Sequence, residues 1–259
     1  MNWGATPVVF GHRGYAARAP ENTLAGFRLA AEHKVPGIEL DIHLTADKHL
    51  VVLHDHNLFR TTGLDAGVEQ TRYDEMRELD AGSWFDPAFS SERLPLLEDI
   101  LAEFGSSFVY DIEIKQEGRA ATGIEEQLLG VIRRFGLEAN CFVSSFNPFP
   151  LRRFRKMAPD IPVAAIYSSH DDVPPILRCG LGAYMSGFPQ LVKPHHVKIN
   201  RLWAWYHIGL RRRIVLPWTV NDAETALRMA ACGVAGIITD DPGMVLELLS
   251  ASAAESLGN

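Results

Sequence analysis

The sequence predicts a TIM (β/α)8 barrel, the α/β fold in which eight parallel strands alternate with helices. Three observations support this prediction. Strand-like and helix-like runs alternate along nearly the whole chain, eight strand-like runs remain once a hairpin return is set aside, and 259 residues suit one such barrel. Parallel strands need crossover helices, and eight strands close the sheet. A doubly wound open sheet is the alternative, but no GxGxxG motif follows the first strand.

Each predicted element is a short apolar run or an amphipathic run bounded by turn or capping residues. The predicted strands are Val8–Gly11, Gly37–Thr45, Phe108–Lys115, Cys141–Phe146, Pro162–Tyr167, Ala183–Phe188, Ile214–Asn221 and Gly236–Asp240. The predicted helices are Glu21–Lys34, Leu96–Phe104, Gly123–Phe135, Pro150–Met157, Val173–Cys179, Ile199–Ile208, Asp222–Cys232 and Met244–Leu249. Acidic and capping residues at the start of the first helix favour its assignment.

One stretch interrupts this alternation. His49–His54 resembles a return strand after a polar turn, and residues 56–95 are rich in glycine, aspartate and aromatic residues. We therefore expect one domain over residues 1–259, with a small insertion at residues 56–95 after the second strand.

Composition and charge exclude several classes of protein. The net charge of −7 argues against a general partner of nucleic acids or anionic membranes, because phosphate groups repel such a surface. Three scattered cysteines without CxxC spacing indicate neither a disulfide framework nor a cysteine zinc site. No stretch approaches the roughly 20 apolar residues of a membrane span, and the first residues do not resemble a secretory signal. We expect a cytoplasmic protein without stable membrane insertion, and its oligomeric state stays open.

Three carboxylates predict a metal site. Glu39 and Asp41 face the same side of a strand, where they repel each other unless a proton or a cation intervenes. Glu113 has the same phase on a neighbouring strand, and all-oxygen ligation favours Mg²⁺ or Ca²⁺ over zinc. For each carboxylate alone, a structural ion pair with arginine is the alternative. His43 shares their face as a further candidate ligand, although its position past the carboxylates favours a supporting role.

Histidines and fixed cations supply the rest of the candidate chemistry at the ends of strands. His12 and His54 are acid/base candidates, since imidazole exchanges protons near neutral pH. Arg13 and Lys115 offer positive charge to a phosphate, or act as counter-ions to the three acids. His56 is expected to be a loop residue. In a TIM barrel the active site lies where strands end, so this distribution favours metal-assisted attack on a phosphate ester.

Ten short segments carry a resemblance to a known family. They are His12–Gly14, Pro20–Thr23, Glu39–Asp41, His54–Asp55, Arg60–Thr62, Ala81–Phe85, Ile112–Lys115, Ser145–Phe146, Trp218–Asn221 and Ile238–Asp240. In this order the chain resembles the glycerophosphodiester phosphodiesterase family, nearest its short cytoplasmic bacterial type. The set spans nearly the whole chain and is specific as a set, whereas one motif alone is weak.

The resemblance implies a fold and a cofactor. The family has a TIM barrel with a small insertion after the second strand, which corresponds to residues 56–95. One divalent cation, Mg²⁺ or Ca²⁺, is held by the residues that match Glu39, Asp41 and Glu113. The family's usual Asp-Gly turn in the hairpin reads Asp47-Lys48 in this chain.

The resemblance also implies roles for further residues. His12 and His54 match the general acid and base, without showing which is which in the first step. Arg13 and Lys115 match the phosphate-contacting positions. The positions that line the substrate cleft match Phe146 and Trp218.

The implied activity is metal-dependent hydrolysis of small glycerophosphodiesters to glycerol 3-phosphate and an alcohol of unspecified identity. A lysophospholipase D or a cyclising phospholipase would use the same core residues, and a requirement for a long acyl chain would indicate one. A catalytically silent metabolite-binding barrel is a further alternative. The pair of histidines argues against it, since binding alone needs no acid and base together.

Overall fold

Eight parallel strands form the wall of a barrel in the computed structural model, which describes residues 3–4, 6–168, 185, 187 and 189–257. The strands are β1 (Val8–His12), β2 (Gly37–Leu44), β3 (Leu50–Val52), β4 (Val109–Ile114), β5 (Cys141–Ser145), β6 (Val163–Tyr167), β7 (Leu191–Pro194), β8 (Ile214–Val215) and β9 (Gly236–Thr239). Their order around the wall is β8-β7-β6-β5-β4-β2-β1-β9, and β3 pairs antiparallel with β2. Backbone hydrogen bonds from Ala235 N to Val215 O (2.9 Å) and from Ile238 N to Pro217 O (3.0 Å) nearly close the barrel. The predicted TIM barrel is confirmed.

Helices cover the outside of this wall. They are α1 (Leu24–Glu32), α2 (Phe59–Thr62), α3 (Tyr73–Met76), α4 (Leu97–Phe104), α5 (Ile124–Phe135), α6 (Pro148–Met157), α7 (Arg201–Ala204, continued by a π-helix at Trp205–Leu210), α8 (Ala223–Ala231) and α9 (Pro242–Leu257). Side-chain caps start several of them, as when Thr23 Oγ1 accepts from Gly26 N at α1. The first helix thus begins at Leu24 rather than at the predicted Glu21, because Thr23 is its cap.

The sixth strand of the barrel differs from its predicted position. The predicted strand Ala183–Phe188 lies outside the described residues except for Met185, which is helical, and Gly187, which is in a turn; the predicted helix Val173–Cys179 lies wholly outside them. The strand next to β6 is β7, in a segment where we predicted none. β7 has only four residues, one of them a lysine and the last a proline, so its pattern is too short and too polar to indicate a buried strand.

The strand predicted at Ile214–Asn221 is also shorter than expected. Regular pairing ends at Val215, and Trp218 adds only an isolated parallel bridge to His195. Pro217 lies between them, and it has no N–H to continue the ladder.

The interior of the barrel is layered. Phe10, Phe142, Leu191 and Ile238 come from four strands and pack together in one buried cluster, which is possible only inside the barrel. Phe10 and Phe142 meet edge to face, with ring centroids 5.8 Å apart. Side chains two residues apart on a strand point the same way. Polar side chains two residues further along these strands therefore lie directly above the apolar cluster.

Residues 56–95 contain α2, α3 and short 3-10 helices around a small apolar cluster that includes Leu58, Val68, Met76 and Leu94. The boundaries of a single domain and of an insertion here stay predictions. In the part of the chain that the structure describes, no helix has the length and apolar character to span a membrane.

Candidate active site

All nine predicted site residues line one cavity at the carboxyl ends of the barrel strands. The cavity is lined by His12, Arg13, Glu39, Asp41, His54, Glu113, Lys115, Phe146, Ile166, Lys193, Trp218 and Ile238. The structure therefore brings the predicted residues together, and the role of each stays a prediction.

The two histidines have matching surroundings. His12 ends β1, and its Nδ1 lies 2.6 Å from Asp240 Oδ1. His54 follows β3, and its Nδ1 lies 2.7 Å from Asp55 Oδ1. A carboxylate only accepts, so each Nδ1 carries a proton, and each Nε2 is left to accept a proton or, once protonated, to give one. Burial lowers the pKa of His54, which favours its neutral form. Each imidazole is thus held in one orientation by an aspartate.

The three carboxylates form one buried cluster. Asp41 of β2 is the direct neighbour of Glu113 on β4, and Glu39 precedes Asp41 on the same face. One oxygen from each lies within 4.8 Å of the other two, and all three residues are buried. Burial and the adjacent Asp41 raise the pKa of Glu39 well above its usual range, against the opposing charge of Lys193. Repulsion among these buried carboxylates is the condition that a hard cation relieves.

Lys115 lies against two members of this cluster. Its Nζ is 3.0 Å from Asp41 Oδ1 and 2.6 Å from Glu113 Oε1. Burial acts to lower the pKa of Lys115, but Asp41 and Glu113 outweigh it and raise the pKa. Burial would raise the pKa of Asp41, but Lys115 and Arg13 hold it well below its usual range. The lysine is therefore charged and Asp41 is ionised.

Arg13 takes part in the site through a tight backbone turn. Arg13 has φ 55°, and a Cβ at Gly11 would lie only 2.1 Å from Gly14 O, so the loop requires glycine there. The Arg13 N–H donates to Glu39 Oε2 (3.2 Å). Its buried Nε makes no hydrogen bond among the described residues, although it lies 3.4 Å from Asp41 Oδ2. This N–H is thus available to a bound anion.

Behind Arg13, an ion-pair network reaches His54. Glu21 accepts from Arg13 Nη1 (2.8 Å) and from Arg60 Nη2 (2.6 Å). Arg60 Nε donates to Asp55 Oδ2 (2.6 Å), and Asp55 holds His54. Although Glu21, Asp55 and Arg60 lie in the matched motifs, the sequence analysis gave them no role.

A buried lysine is the main residue that sequence reasoning missed. Lys193 Nζ lies 2.6 Å from Asp111 Oδ2, 3.0 Å from Ser144 Oγ and 3.9 Å from Glu39 Oε1. Burial acts to lower the pKa of Lys193, but Asp111 and Glu39 raise it. Asp111 shares the strand phase of Glu113, a signal that could have identified it; Lys193 lies in the strand that the pattern did not indicate.

Three further contacts support the residues that line the cavity. Phe146 and Trp218 meet edge to face, with ring centroids 5.5 Å apart, and Trp218 Nε1 donates to Lys193 O (2.9 Å). The two rings contribute apolar surface to the cavity lining. Asn22 Nδ2 donates to Asp41 Oδ2 (2.9 Å), which orients that carboxylate.

His43 does not join the carboxylate cluster. It is fully buried, and its ring meets that of His56 at 4.8 Å between centroids. Burial lowers its pKa to about 3.

Comparisons with known proteins agree on one family. The model of the glycerophosphoryl diester phosphodiesterase family matches residues 12–244. A glycerophosphodiester phosphodiesterase of Caldanaerobacter subterraneus subsp. tengcongensis is 35% identical over 257 residues, which cover 93% of this chain and 97% of the relative. One of Bacillus altitudinis is 32% identical over 246 residues, with 93% and 97% covered. The solved structure of an Oleispira antarctica phosphodiesterase in complex with the product sn-glycerol-3-phosphate is 26% identical, with a TM-score of 0.77 over 95% of this chain and 97% of that chain.

Proposed function

This chain belongs to the glycerophosphoryl diester phosphodiesterase family, and we propose that it hydrolyses glycerophosphodiesters to glycerol 3-phosphate and an alcohol with a divalent cation and two histidines. The observation that carries the proposal is the cavity itself, where two aspartate-held histidines face a buried carboxylate cluster. The product bound to the Oleispira antarctica relative supports the product named here.

The carboxylate cluster fits a hard cation. Glu39, Asp41 and Glu113 offer only oxygen ligands, and their nearest oxygens lie within 4.8 Å of one another. Burial, together with the charges of Asp41 and Glu113, raises the pKa of Glu39. Bound there, Mg²⁺ or Ca²⁺ would supply positive charge that polarises the phosphodiester and acidifies a neighbouring hydroxyl.

Arg13 and Lys115 bind and orient the phosphate. The unused Nε–H of Arg13 and the ammonium of Lys115 line the same cavity, and both groups are charged. Donors fixed in a site that excludes most water stabilise charge more than the same donors do in water. Phe146 and Trp218 exclude water with their apolar rings.

His12 and His54 transfer the protons. Nε2 of one histidine, in its neutral form, removes the proton from the substrate's neighbouring glycerol hydroxyl, whose oxygen attacks phosphorus, while the other histidine, protonated on both ring nitrogens, gives its Nε2 proton to the departing alcohol. The resulting cyclic phosphate is opened by water with the two roles exchanged. Asp240 and Asp55 hold His12 and His54 in the tautomers that this exchange needs.

The test is release of glycerol 3-phosphate from glycerophosphocholine by metal-stripped protein, with Mg²⁺, Ca²⁺ or EDTA added. We expect a cation to restore activity, and His12→Ala and His54→Ala each to lower turnover on the order of 10²–10⁴-fold. His33→Ala is the control, since His33 is an exposed histidine outside the cavity. Near-normal turnover in either cavity variant would refute the two-histidine mechanism. A requirement for a long acyl chain would indicate a lipid substrate instead.

A deoxy analogue of glycerophosphocholine that lacks the neighbouring hydroxyl tests the cyclic phosphate separately. We expect its hydrolysis to fall sharply because the internal nucleophile is missing. Hydrolysis at an undiminished rate would show that water attacks phosphorus directly.

A further inference from the structure

A second group of potential metal ligands lies beside the catalytic cavity. His43, His56 and Glu69 each place one ligand atom within 4.8 Å of the other two. They come from β2, from the loop after β3 and from the 3-10 helix Val68–Gln70. The rings of His43 and His56 are nearly perpendicular, at 83°, so they approach each other without stacking.

His43 is the informative member of this group. Its Nε2 lies 3.3 Å from the backbone oxygen of His54, and a carbonyl only accepts, so Nε2 carries the hydrogen. In the neutral ring the lone pair is then on Nδ1, which is buried and has no hydrogen-bond partner among the described residues. A buried polar atom of this kind requires an explanation. A histidine whose other nitrogen donates to a backbone carbonyl has the usual arrangement of a metal ligand.

Backbone contacts join the segments that carry the other two residues. The Val68 N–H donates to His56 O (3.0 Å), and an antiparallel bridge joins Asn57 to Gly67. His56 is exposed and Glu69 is half-buried, so both can rotate toward the fixed His43. Bonds of about 2.1 Å to a tetrahedral Zn²⁺ need ligand atoms about 3.4 Å apart, a modest closure from the present separations. The solvent side leaves a fourth position for water.

From this arrangement we propose a transition-metal site, with Zn²⁺ as its most fitting occupant, formed by His43, His56 and Glu69. Two imidazoles and one carboxylate suit Zn²⁺, whereas the all-oxygen cluster in the cavity suits Mg²⁺ or Ca²⁺. The two sites thus differ in the metal that their ligands favour. Because His43 also holds the backbone of His54, a metal here fixes the segment that carries a cavity histidine.

Zn²⁺ titration of the full chain tests the proposal without any activity measurement. The protein is stripped of metal, saturated with Mg²⁺ to fill the carboxylate cluster, and titrated with Zn²⁺ by calorimetry. We expect one equivalent of Zn²⁺ to bind to the parent protein. His56→Asn and Glu69→Gln are each expected to lower the Zn²⁺ affinity at least tenfold. His33→Asn changes an exposed histidine outside the group and is expected to leave the affinity unchanged. Zn²⁺ is also expected to raise the Tm of the parent protein and not that of His56→Asn.

Glu113→Gln distinguishes the two sites. We expect this variant to keep its Zn²⁺ equivalent, because the change removes a ligand of the other cluster. Loss of Zn²⁺ in Glu113→Gln with retention in His56→Asn would overturn the proposal by placing Zn²⁺ among the three carboxylates. Unchanged affinity in both His56→Asn and Glu69→Gln, or no Zn²⁺ binding by the parent protein, would also overturn it. Circular dichroism of each variant confirms that its fold is intact.

Discussion

Replacing Lys193 by methionine removes a buried charge while keeping most of the side-chain volume. Lys193 is 2% exposed and Asp111 is 0% exposed, and their charged atoms lie 2.6 Å apart. At an effective dielectric constant of about 20, this separation corresponds to an attraction of about 6 kcal/mol. The lysine's own desolvation cost, which the variant no longer bears, offsets part of that value. We therefore expect Lys193→Met to lower the free energy of unfolding by about 3–5 kcal/mol, since it leaves Asp111 buried without its counter-ion.

The assay is equilibrium unfolding in urea, followed by circular dichroism, with the m-value compared between variants. Lys156→Met is the control, because Lys156 is an exposed lysine of α6, and its change is expected to stay within about 0.5 kcal/mol. Lys193→Met/Asp111→Asn removes the unpaired charge of Asp111, and only the more distant Glu39 still lacks the lysine, so the double variant should recover more than half of the loss. A loss below about 1 kcal/mol in Lys193→Met, or a double variant as unstable as the single one, would refute the reasoning.

Three further outcomes are expected. Burial would raise the pKa of Asp55, but hydrogen bonds from Arg60 and His54 hold it at about 2, below its ordinary 3.8. A depressed carboxyl pKa stabilises the fold above the ordinary value, and this contribution disappears as the pH falls from 3.8 toward 2. We therefore expect the free energy of unfolding of Asp55→Asn, measured in urea at several pH values, to depend less on pH between 3.8 and 2 than that of the parent protein. An unchanged dependence on pH would contradict the low pKa of Asp55. Lys48 has φ 69° in the hairpin turn, so Lys48→Gly should raise the free energy of unfolding by about 0.5–1 kcal/mol in urea melts, while Lys48→Ala should not. Trp218→Ala removes the edge-to-face contact with Phe146. We expect substrate binding to weaken by about 1.4 kcal/mol, which raises KM for glycerophosphocholine about tenfold. Trp218→Phe keeps an aromatic ring and should raise KM less; equal KM values for all three proteins would show that the ring does not contact substrate.

The parts of the site that lie on one strand could be predicted from the sequence. Period-two alternation places Glu39 and Asp41 on one face, and parallel pairing of β2 with β4 then puts Glu113 beside Asp41. The positions of His12 and His54 follow from the rule that barrel chemistry lies where strands end.

The parts that depend on distant pairing could not be predicted in the same way. β7 is a four-residue strand with a lysine in a buried position, and the partner that makes this lysine acceptable, Asp111, is on another strand. Nothing in the local pattern of Leu191–Pro194 indicates that partner. Likewise, no local feature shows that His43 lies beside His56 and Glu69, because their proximity arises from the packing of three segments.

The contact between His12 and Asp240 links residues that are 228 positions apart. β1 is made long before Asp240, the residue after β9 that orients the histidine of β1. A nascent chain that has emerged only as far as β8 therefore lacks the carboxylate that orients His12. We expect hydrolysis to begin only after Asp240 has been made, so that a polypeptide ending before it stays inert toward phosphodiesters.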